Sequence, residues 1–300
     1  MESNCAICGQ ISRFFLNKDG YNHFLCSNCQ TIFVYPLPEN LIDLYSDESN
    51  YAGTEPITTG IFSVQGQLQQ FLKAAQTHCN SSLKILDIGC STGSFLIFAK
   101  EMGFKVKGVE PSKKLSDHAK SLGLDVLNDD FHNDLIVDEK FDVISCFDVI
   151  EHVFDPSEFI NNAVSLMSPT SYLILKTPNM NSLWARLTFK ITDTFSIPPS
   201  VLTPPHHVYN FTHQSLDLLA NKHGLILVKS WSSGAALLYE LGQLHLWRRF
   251  KALRNFSALN QLFIGYSFYC LIFLMSRVNS KFSNDFNMFR IYKLDDRRII

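Results

Sequence analysis

The stretch Lys84-Ile85-Leu86-Asp87-Ile88-Gly89-Cys90-Ser91-Thr92-Gly93-Ser94-Phe95-Leu96 constrains this chain more than any other. Ile85 to Ile88 reads as a buried strand with Asp87 near its end, Gly89 to Gly93 as a tight turn of small residues, and a helix starts near Ser94. A strand that feeds a helix through bare backbone is how an α/β fold builds a nucleotide site. The ligand can approach closely, and the helix N-terminus offers unpaired N–H groups. A dinucleotide loop needs glycine at the first, third and sixth positions. Counted from Gly89, the third and sixth are Ser91 and Ser94, so that pattern fails. No Gly-Lys-Ser/Thr follows, which excludes a P-loop. What stands is Asp-x-Gly-x-Ser-x-Gly. An acid two residues before the first glycine repels a pyrophosphate and suits a ligand that carries an ammonium or another cation. An ordinary βα turn is the plainer alternative.

S-adenosyl-L-methionine (SAM) carries both an ammonium and a sulfonium. The stretch resembles motif I of the class I SAM-dependent methyltransferases, whose commonest form has glycine where this chain has Ser91. The residues that follow alternate in the manner of a parallel sheet covered on both faces. Strand 84–88 precedes a helix to about 102. Val106–Val109 is a second strand, a helix over 112–122 has Ser112 as its N-cap, and Leu124–Leu127 is a third strand. Phe141–Cys146 is a fourth, Pro156 opens a helix to about 167, and Tyr172–Lys176 is a fifth. A helix over 213–223, a strand over Leu225–Lys229 and a last antiparallel strand near Met288–Lys293 complete about seven strands.

Glu110 ends the second strand, 21 residues after Gly89. A carboxylate there can accept both ribose hydroxyls of a bound nucleoside, and ligands of such sheets bind beyond the carboxyl ends of the strands. Asp130, with Asp129 as the adjacent alternative, is placed to accept from an adenine amino group, and the N–H of Phe131 to reach a ring nitrogen. Asp87, Gly89, Gly93, Glu110, Asp130, Phe131 and Cys146 form the cofactor set. The fourth strand runs into Glu151-His152-Val153-Phe154-Asp155-Pro156, with Thr177-Pro178-Asn179 and Pro205-His206-His207-Val208-Tyr209-Asn210-Phe211-Thr212 further on. All three segments resemble the ubiquinone-biosynthesis O-methyltransferases and their relatives. If the acceptor is a hydroxyl, a base removes its proton. His207 and His152 are the candidates, with Glu151 to orient His152 or to take the proton itself.

The chain has eight cysteines, four of them as Cys5-x-x-Cys8 and Cys26-x-x-Cys29 with 17 residues between the pairs. Two such knuckles complete a tetrahedral S₄ zinc site with no open position, hence a structural one. The segment is too short to bury a core, so the metal supplies its folding energy. His23, between the pairs, reads as a surface or packing residue. This is the thiol usage of a reducing compartment, and the polar start Met1-Glu2-Ser3-Asn4 does not read as a signal peptide, so a cytoplasmic location is expected. The knuckles, Val34-Tyr35-Pro36-x-Pro38 and the Tyr-rich acidic segment after them resemble the zinc-binding extension found on many bacterial methyltransferases of this class.

The expected organisation is a zinc ribbon over 1–35, a connector and helix over 36–82 (the helix at 61–79), and a methyltransferase domain over 83–300. That domain carries an aromatic, proline-rich insert at 180–212, read as a substrate lid with a hydrophobic packing element as the alternative, and apolar C-terminal helices at 235–280. Within those helices Trp247–Arg254 is basic and aromatic, and 258–275 carries no charge. The run reads as interfacial rather than spanning: peripheral contact with the inner face of a membrane through 245–280, or burial against its own domain or a second copy of the chain.

With 300 residues, 46% of them hydrophobic, the chain can bury a large core. A formal net charge of −2 does not favour nucleic-acid binding, and the Asn/Asp-Pro-Pro-Tyr/Phe motif of base methyltransferases is absent after the fourth strand. The expected fold is a Rossmann-like class I methyltransferase sheet with an N-terminal Cys₄ ribbon. The expected function is SAM-dependent methylation, at oxygen, of a small-molecule, sugar or lipid-linked acceptor. A nucleic-acid methyltransferase that reads with its ribbon and a non-catalytic SAM-fold scaffold are the alternatives.

Overall fold

The computed structural model describes residues 1–39, 59–77, 82–132, 134–183, 185, 186, 188–190, 201–233, 286–295 and 297. The larger part is a seven-stranded sheet. In chain order it uses β5 (Lys84–Ile88), β6 (Lys105–Val109), β7 (Val126–Leu127), β8 (Phe141–Phe147), β9 (Met167–Pro178), β11 (Leu225–Ser233) and β12 (Asn287–Leu294). The spatial order is β11-β12-β9-β8-β5-β6-β7. The five strands from β5 to β9 pair in parallel, while β12 lies antiparallel between β9 and β11. This is the sheet the alternating pattern predicts, with its antiparallel last strand.

Period-two alternation sends the strand residues to opposite faces. Ile85, Val143, Ile174, Phe289 and Ile291 pack with Leu68, Phe71 and Leu72 of α1 (Thr59–Thr77) and with Phe95 and Ala99 of α2 (Ser94–Glu101). Leu86, Ile88, Ile144, Cys146, Leu173 and Leu175 face the other way. They meet Phe159, Ile160 and Ala163 of α4 (Pro156–Ser165) and Leu216, Leu219 and Ala220 of α5 (His213–Lys222). Helix α3 (Lys113–Ser121) covers the end of the sheet near β7 through Ala119. Its N-cap is Ser112, as the sequence predicts. Asp155 caps α4, accepting from the N–H groups of Ser157 and Glu158 ahead of a proline in the first turn.

The N-terminal residues form a second sheet of β1 (Glu2–Asn4), β2 (Ile11–Lys18), β3 (Tyr21–Leu25) and β4 (Ile32–Val34). Asp19-Gly20, both at positive φ, makes the two-residue turn of the β2–β3 hairpin. The ribbon is not self-contained. A fifth strand, β10 (Tyr209–Asn210), comes from the expected insert and pairs antiparallel with β4. Cys5, Ile7, Phe24, Cys26, Cys29, Phe33 and Val34 share one apolar cluster with Leu86, Ile88, Val208, Phe211 and Leu216. Ribbon and large sheet therefore have a continuous core.

Several expectations shift. β9 runs from Met167 to Pro178 and β11 to Ser233, beyond the apolar runs at 172–176 and 225–229. β11 and the end of β9 are carried further by ladder pairing with β12, and the start of β9 pairs with β8 at Phe141–Met167. The described part of the insert does not stand free as a lid. Met180, Ala185, Val201 and Leu202 pack with Ile32, and Phe189 meets Phe15 of β2 edge-on at 5.5 Å. His23 is wholly buried, so the packing reading holds. Most of the connector and the apolar run at 235–280 lie outside the described residues. Among the described residues, no helix is long and apolar enough to cross a membrane.

Helix α5 is tied to β12 by a polar cluster. Arg290, nearly buried, makes a two-pronged contact with Asp217, and the Tyr292 hydroxyl donates to Asp217 Oδ1 at 2.7 Å. Removing the acid would strand a buried guanidinium, at a cost tempered by the partial exposure of Asp217. Asp217→Ala is expected to lose about 2 kcal/mol in urea unfolding, and Asp217→Asn less than that.

Candidate active site

The parallel register brings the strand ends level. Asp87 pairs with Gly108 on one side and Ser145 on the other; Ile88 pairs with Val109 and Cys146, and Val109 with Leu127. The segments that leave these strands, 89–93, 110–112, 128–131 and 148–152, emerge on one edge of the sheet, where an α/β fold binds its ligand.

Asp87 is 3% exposed, and its Oδ1 accepts from the Ser145 hydroxyl at 2.6 Å. Burial pushes its carboxyl up to about 7 against the pull of Ser145, and nearby Glu110 adds to the rise. The group is poised to ionise when a cation arrives. Glu110 is also buried. Its Oε2 accepts from the N–H of Ser91 at 2.8 Å and its Oε1 from that of Ser112 at 2.9 Å. Burial raises its pKa while these two N–H groups oppose the rise. Each oxygen keeps a further lone pair for a hydroxyl donor. Asn128 braces this turn, donating to the carbonyls of Glu110 and Pro111, both at 2.9 Å. Asp130 is exposed, and its pKa is raised by desolvation and by Asp129. Phe131 is half-buried edge-on against Phe159 at 5.5 Å.

The turn itself depends on two glycines. Gly89 has φ +71°, and a Cβ there would lie 2.4 Å from Val149 Cγ2; Gly93 has φ +82°, with Leu124 Cδ1 at 2.3 Å. Any side chain at either position would strain the backbone and displace its neighbour. Cys146 is fully buried, its thiol in the core on the α4 side, so its place in the cofactor set rests on its position at the strand end.

The second half of the site gathers around Glu151, which is 1% exposed. Neither carboxyl oxygen has a hydrogen-bond partner of ordinary geometry, nor has the buried Thr177 hydroxyl. Burial pushes Glu151 up to about 8, Asp148 adds to the rise, and Thr177 and Lys176 oppose it. Lys176 is buried and paired with Asp148. The backbone oxygen of Glu151 accepts from Val208 N–H at 3.0 Å and Tyr209 N–H at 3.1 Å. His152 Nδ1 is 2.7 Å from the carbonyl of His206, and the His152 and His207 rings meet edge-on at 4.7 Å. A carbonyl only accepts, so Nδ1 carries the proton and the neutral ring keeps its lone pair on Nε2. Burial lowers His152 to about 4 and holds His207 well below its usual value. Both are neutral near pH 7. Glu151, His152 and His207 each bring a ligand atom within 4.8 Å of the others, an arrangement suited to proton transfer or to a divalent cation.

The four ribbon cysteines also lie with Sγ atoms within 4.8 Å of one another, Cys5–Cys29 at 3.5 Å and Cys8–Cys26 at 3.3 Å. Tetrahedral zinc with Zn–S of about 2.3 Å needs sulfurs about 3.8 Å apart, so the set fits the metal. The two knuckles share one backbone form. Gly9 N–H donates to the Cys5 carbonyl at 2.8 Å and Gln30 N–H to that of Cys26 at 2.9 Å, both from positive φ. The thiolate of Cys29 is favoured by hydrogen bonds from Cys5 and Thr31.

Two contacts escape sequence reasoning. Ser145 faces Asp87 only because β5 and β8 pair in that register, and the Lys176–Asp148 pair joins β9 to the residue that follows β8. A third was legible: Ser91 stands where the motif commonly has glycine, and it holds φ +51°, a left-handed conformation that L-residues resist. Ser91→Gly is expected to raise stability by up to about 1 kcal/mol in chemical denaturation while keeping the N–H bonded to Glu110.

A family model described as a methyltransferase domain matches residues 63–230, more than half of the chain. Ubiquinone biosynthesis O-methyltransferase of Rhodopseudomonas palustris (strain TIE-1) is 33% identical over 114 residues, 36% of this chain and 45% of the relative. The enzyme of the same description from Actinobacillus pleuropneumoniae serotype 5b is 33% identical over 110 residues, 32% of this chain and 46% of the relative. The chain thus spans under half the length of these relatives. Among solved structures, magnesium protoporphyrin IX methyltransferase from Synechocystis PCC 6803 with bound SAH superposes with a TM-score of 0.51 at 14% identity, over 85% of this chain and 97% of that one. The plantazolicin methyltransferase BpumL in complex with a triazolic desmethylPZN analog and SAH gives 0.50 at 14% identity, over 85% of this chain and 95% of that one. These two likenesses concern the fold. The family match covers the glycine turn, Glu110 and the Glu151–His152 segment together, and by it the chain belongs to the methyltransferase-domain family.

Proposed function

We propose that this protein transfers the methyl group of SAM to an oxygen of a small-molecule, sugar or lipid-linked acceptor. The observation that carries the reading is the juxtaposition at one sheet edge of two buried carboxyls, Asp87 and Glu110, with a neutral histidine pair backed by Glu151. SAM, when bound, supplies an electrophilic methyl group on its sulfonium. Asp87 takes the ammonium, Glu110 the ribose hydroxyls, and Asp130 and the Phe131 N–H the adenine, while Gly89 and Gly93 give the turn its positive φ and its close packing against Val149 and Leu124. On the acceptor side the lone pair on His152 Nε2, or His207, receives the hydroxyl proton; Glu151, pushed up to about 8 and so protonated near pH 7, backs the pair and does not itself take that proton. Positioning on the methyl axis and exclusion of water supply the rest. Oxygen as the methylated atom is supported by the likeness to the ubiquinone biosynthesis O-methyltransferases. Neutral rings also suit a hydroxyl, which has a proton to give up. The zinc of the ribbon is structural, held by Cys5, Cys8, Cys26 and Cys29. The basic, aromatic run within 245–280 equips a cytoplasmic protein to meet an anionic membrane surface. Pelleting with anionic vesicles is expected, and protein that stays wholly in the supernatant would count against that contact.

Calorimetry tests the cofactor half. Zinc-loaded protein is expected to bind SAM, and Glu110→Ala to weaken it by about 10- to 100-fold; no binding by the native chain would defeat the reading. The pH profile carries a sign. Free Asp87 titrates at about 7 and an adjacent ammonium lowers that value, so binding releases a proton below pH 7. Affinity should therefore climb from pH 5 to pH 7, by less than about tenfold per unit, and the climb should vanish in Asp87→Asn.

A further inference from the structure

We infer that the zinc ribbon is the positioning element of the histidine loop: the metal knuckles set where His206 and His207 stand, so metal loading governs the acceptor side of the cleft and leaves the cofactor side alone. The inference deepens the proposed function, because it takes that loop as the acceptor wall.

The loop 206–212 is held from two sides. On the sheet side its grips are the Glu151 carbonyl, bonded to Val208 and Tyr209, and the contact of His152 Nδ1 with the His206 carbonyl. On the ribbon side, Tyr209 and Asn210 pair with Phe33 and Ile32, and Val34 N–H donates to the Val208 carbonyl at 2.9 Å. The ribbon grips on Thr212 and on α5 fall on the knuckles. Thr212, which caps α5, donates its hydroxyl to the carbonyl of Cys29 at 3.3 Å, and Gln214 Nε2 donates to that of Asn28 at 2.9 Å. Lys222 in the last turn of α5 donates to the carbonyl of Ile7. Ile7 lies between Cys5 and Cys8; Asn28 and Cys29 belong to the second pair. Three backbone acceptors whose positions depend on the four thiolates converging are thus the seats of the helix that follows the loop. The insert rests on another part of the ribbon, β2, through Lys18 Nζ on the Leu202 carbonyl and the Phe15–Phe189 contact.

The cofactor side is anchored elsewhere. The hydrogen bonds of Asp87 and Glu110 run to Ser145, Ser91 and Ser112, and Asn128 braces the turn from within the large sheet. A ribbon of four short strands gets much of its folding energy from its metal. When the metal leaves, the knuckle carbonyls lose their geometry, and the Val208 and Tyr209 N–H bonds to the Glu151 carbonyl, left to hold the loop from one side alone, open more often. Local opening of this kind is what amide exchange reads.

Hydrogen exchange on the full-length chain, with its zinc and after chelation, tests this alongside calorimetry with SAM. Chelation is expected to raise exchange at Val34, Val208 and Tyr209 at least tenfold, while strand 84–88 keeps its protection and SAM affinity moves less than threefold. Unchanged protection at 208–209 would overturn the inference. So would a parallel loss of SAM binding and of protection at 84–88, because the ribbon would then be holding the whole fold. The pair Gln214→Ala with Lys222→Met cuts the link without touching a thiolate. Zinc content should stay at one per chain while exchange at 206–210 rises severalfold, and native exchange in this variant would overturn the inference too. Failure of the native chain to bind SAM defeats the proposed function instead, since the exchange coupling stands or falls without cofactor.

Discussion

A carboxyl group buried at the end of a parallel strand has to find a partner or stay protonated. Much of the cofactor side follows from how Asp87 meets that condition. Its partner is a hydroxyl, Ser145, from the neighbouring strand, and its pKa stays near neutrality. A hydrogen bond from a neutral donor steadies the carboxyl without discharging it. The group therefore keeps its appetite for a cation, and register between β5 and β8 aims it at the open edge of the sheet. Glu110 is treated the same way, held by two peptide N–H groups and no cationic side chain.

The cluster of Glu151, His152 and His207, the proposed acceptor side, is built on the opposite principle, with charges withheld. Two imidazoles are kept neutral and a glutamic acid is kept protonated by burial, with one ion pair, Lys176 and Asp148, at the boundary. Neutral groups at close quarters can pass a proton without creating an isolated buried charge. Their closeness is a tertiary effect. His152 follows β8 while His207 sits in a loop more than fifty residues later, and the Glu151 backbone joins the two.

That loop also explains why the ribbon and the catalytic sheet form one body. A Cys₄ knuckle sheet of this size has little apolar interior of its own, so its inner face needs a neighbour. Here the neighbour is the face of the large sheet that carries α4 and α5, and β10 closes the seam by adding a strand to β4. An edge strand covered in this way is also protected from pairing with other chains.

What could be read from residues alone was whatever depends on local pattern and fixed spacing. The βα rhythm, the glycine turn with its early acid, Glu110 at a strand end and the paired knuckles were all legible, because alternation, turn chemistry and ligand spacing are written over a few adjacent positions. Histidines 152 and 207 were legible as candidates, but their contact was not. Only the tertiary structure decided that Ser145 would hold Asp87, that Tyr209–Asn210 would join the ribbon, and that the described part of the insert would pack on β2–β4 instead of standing free. Each of these contacts joins residues far apart in the chain. Their geometry comes from strand register and a shared core, which no local stretch of sequence encodes.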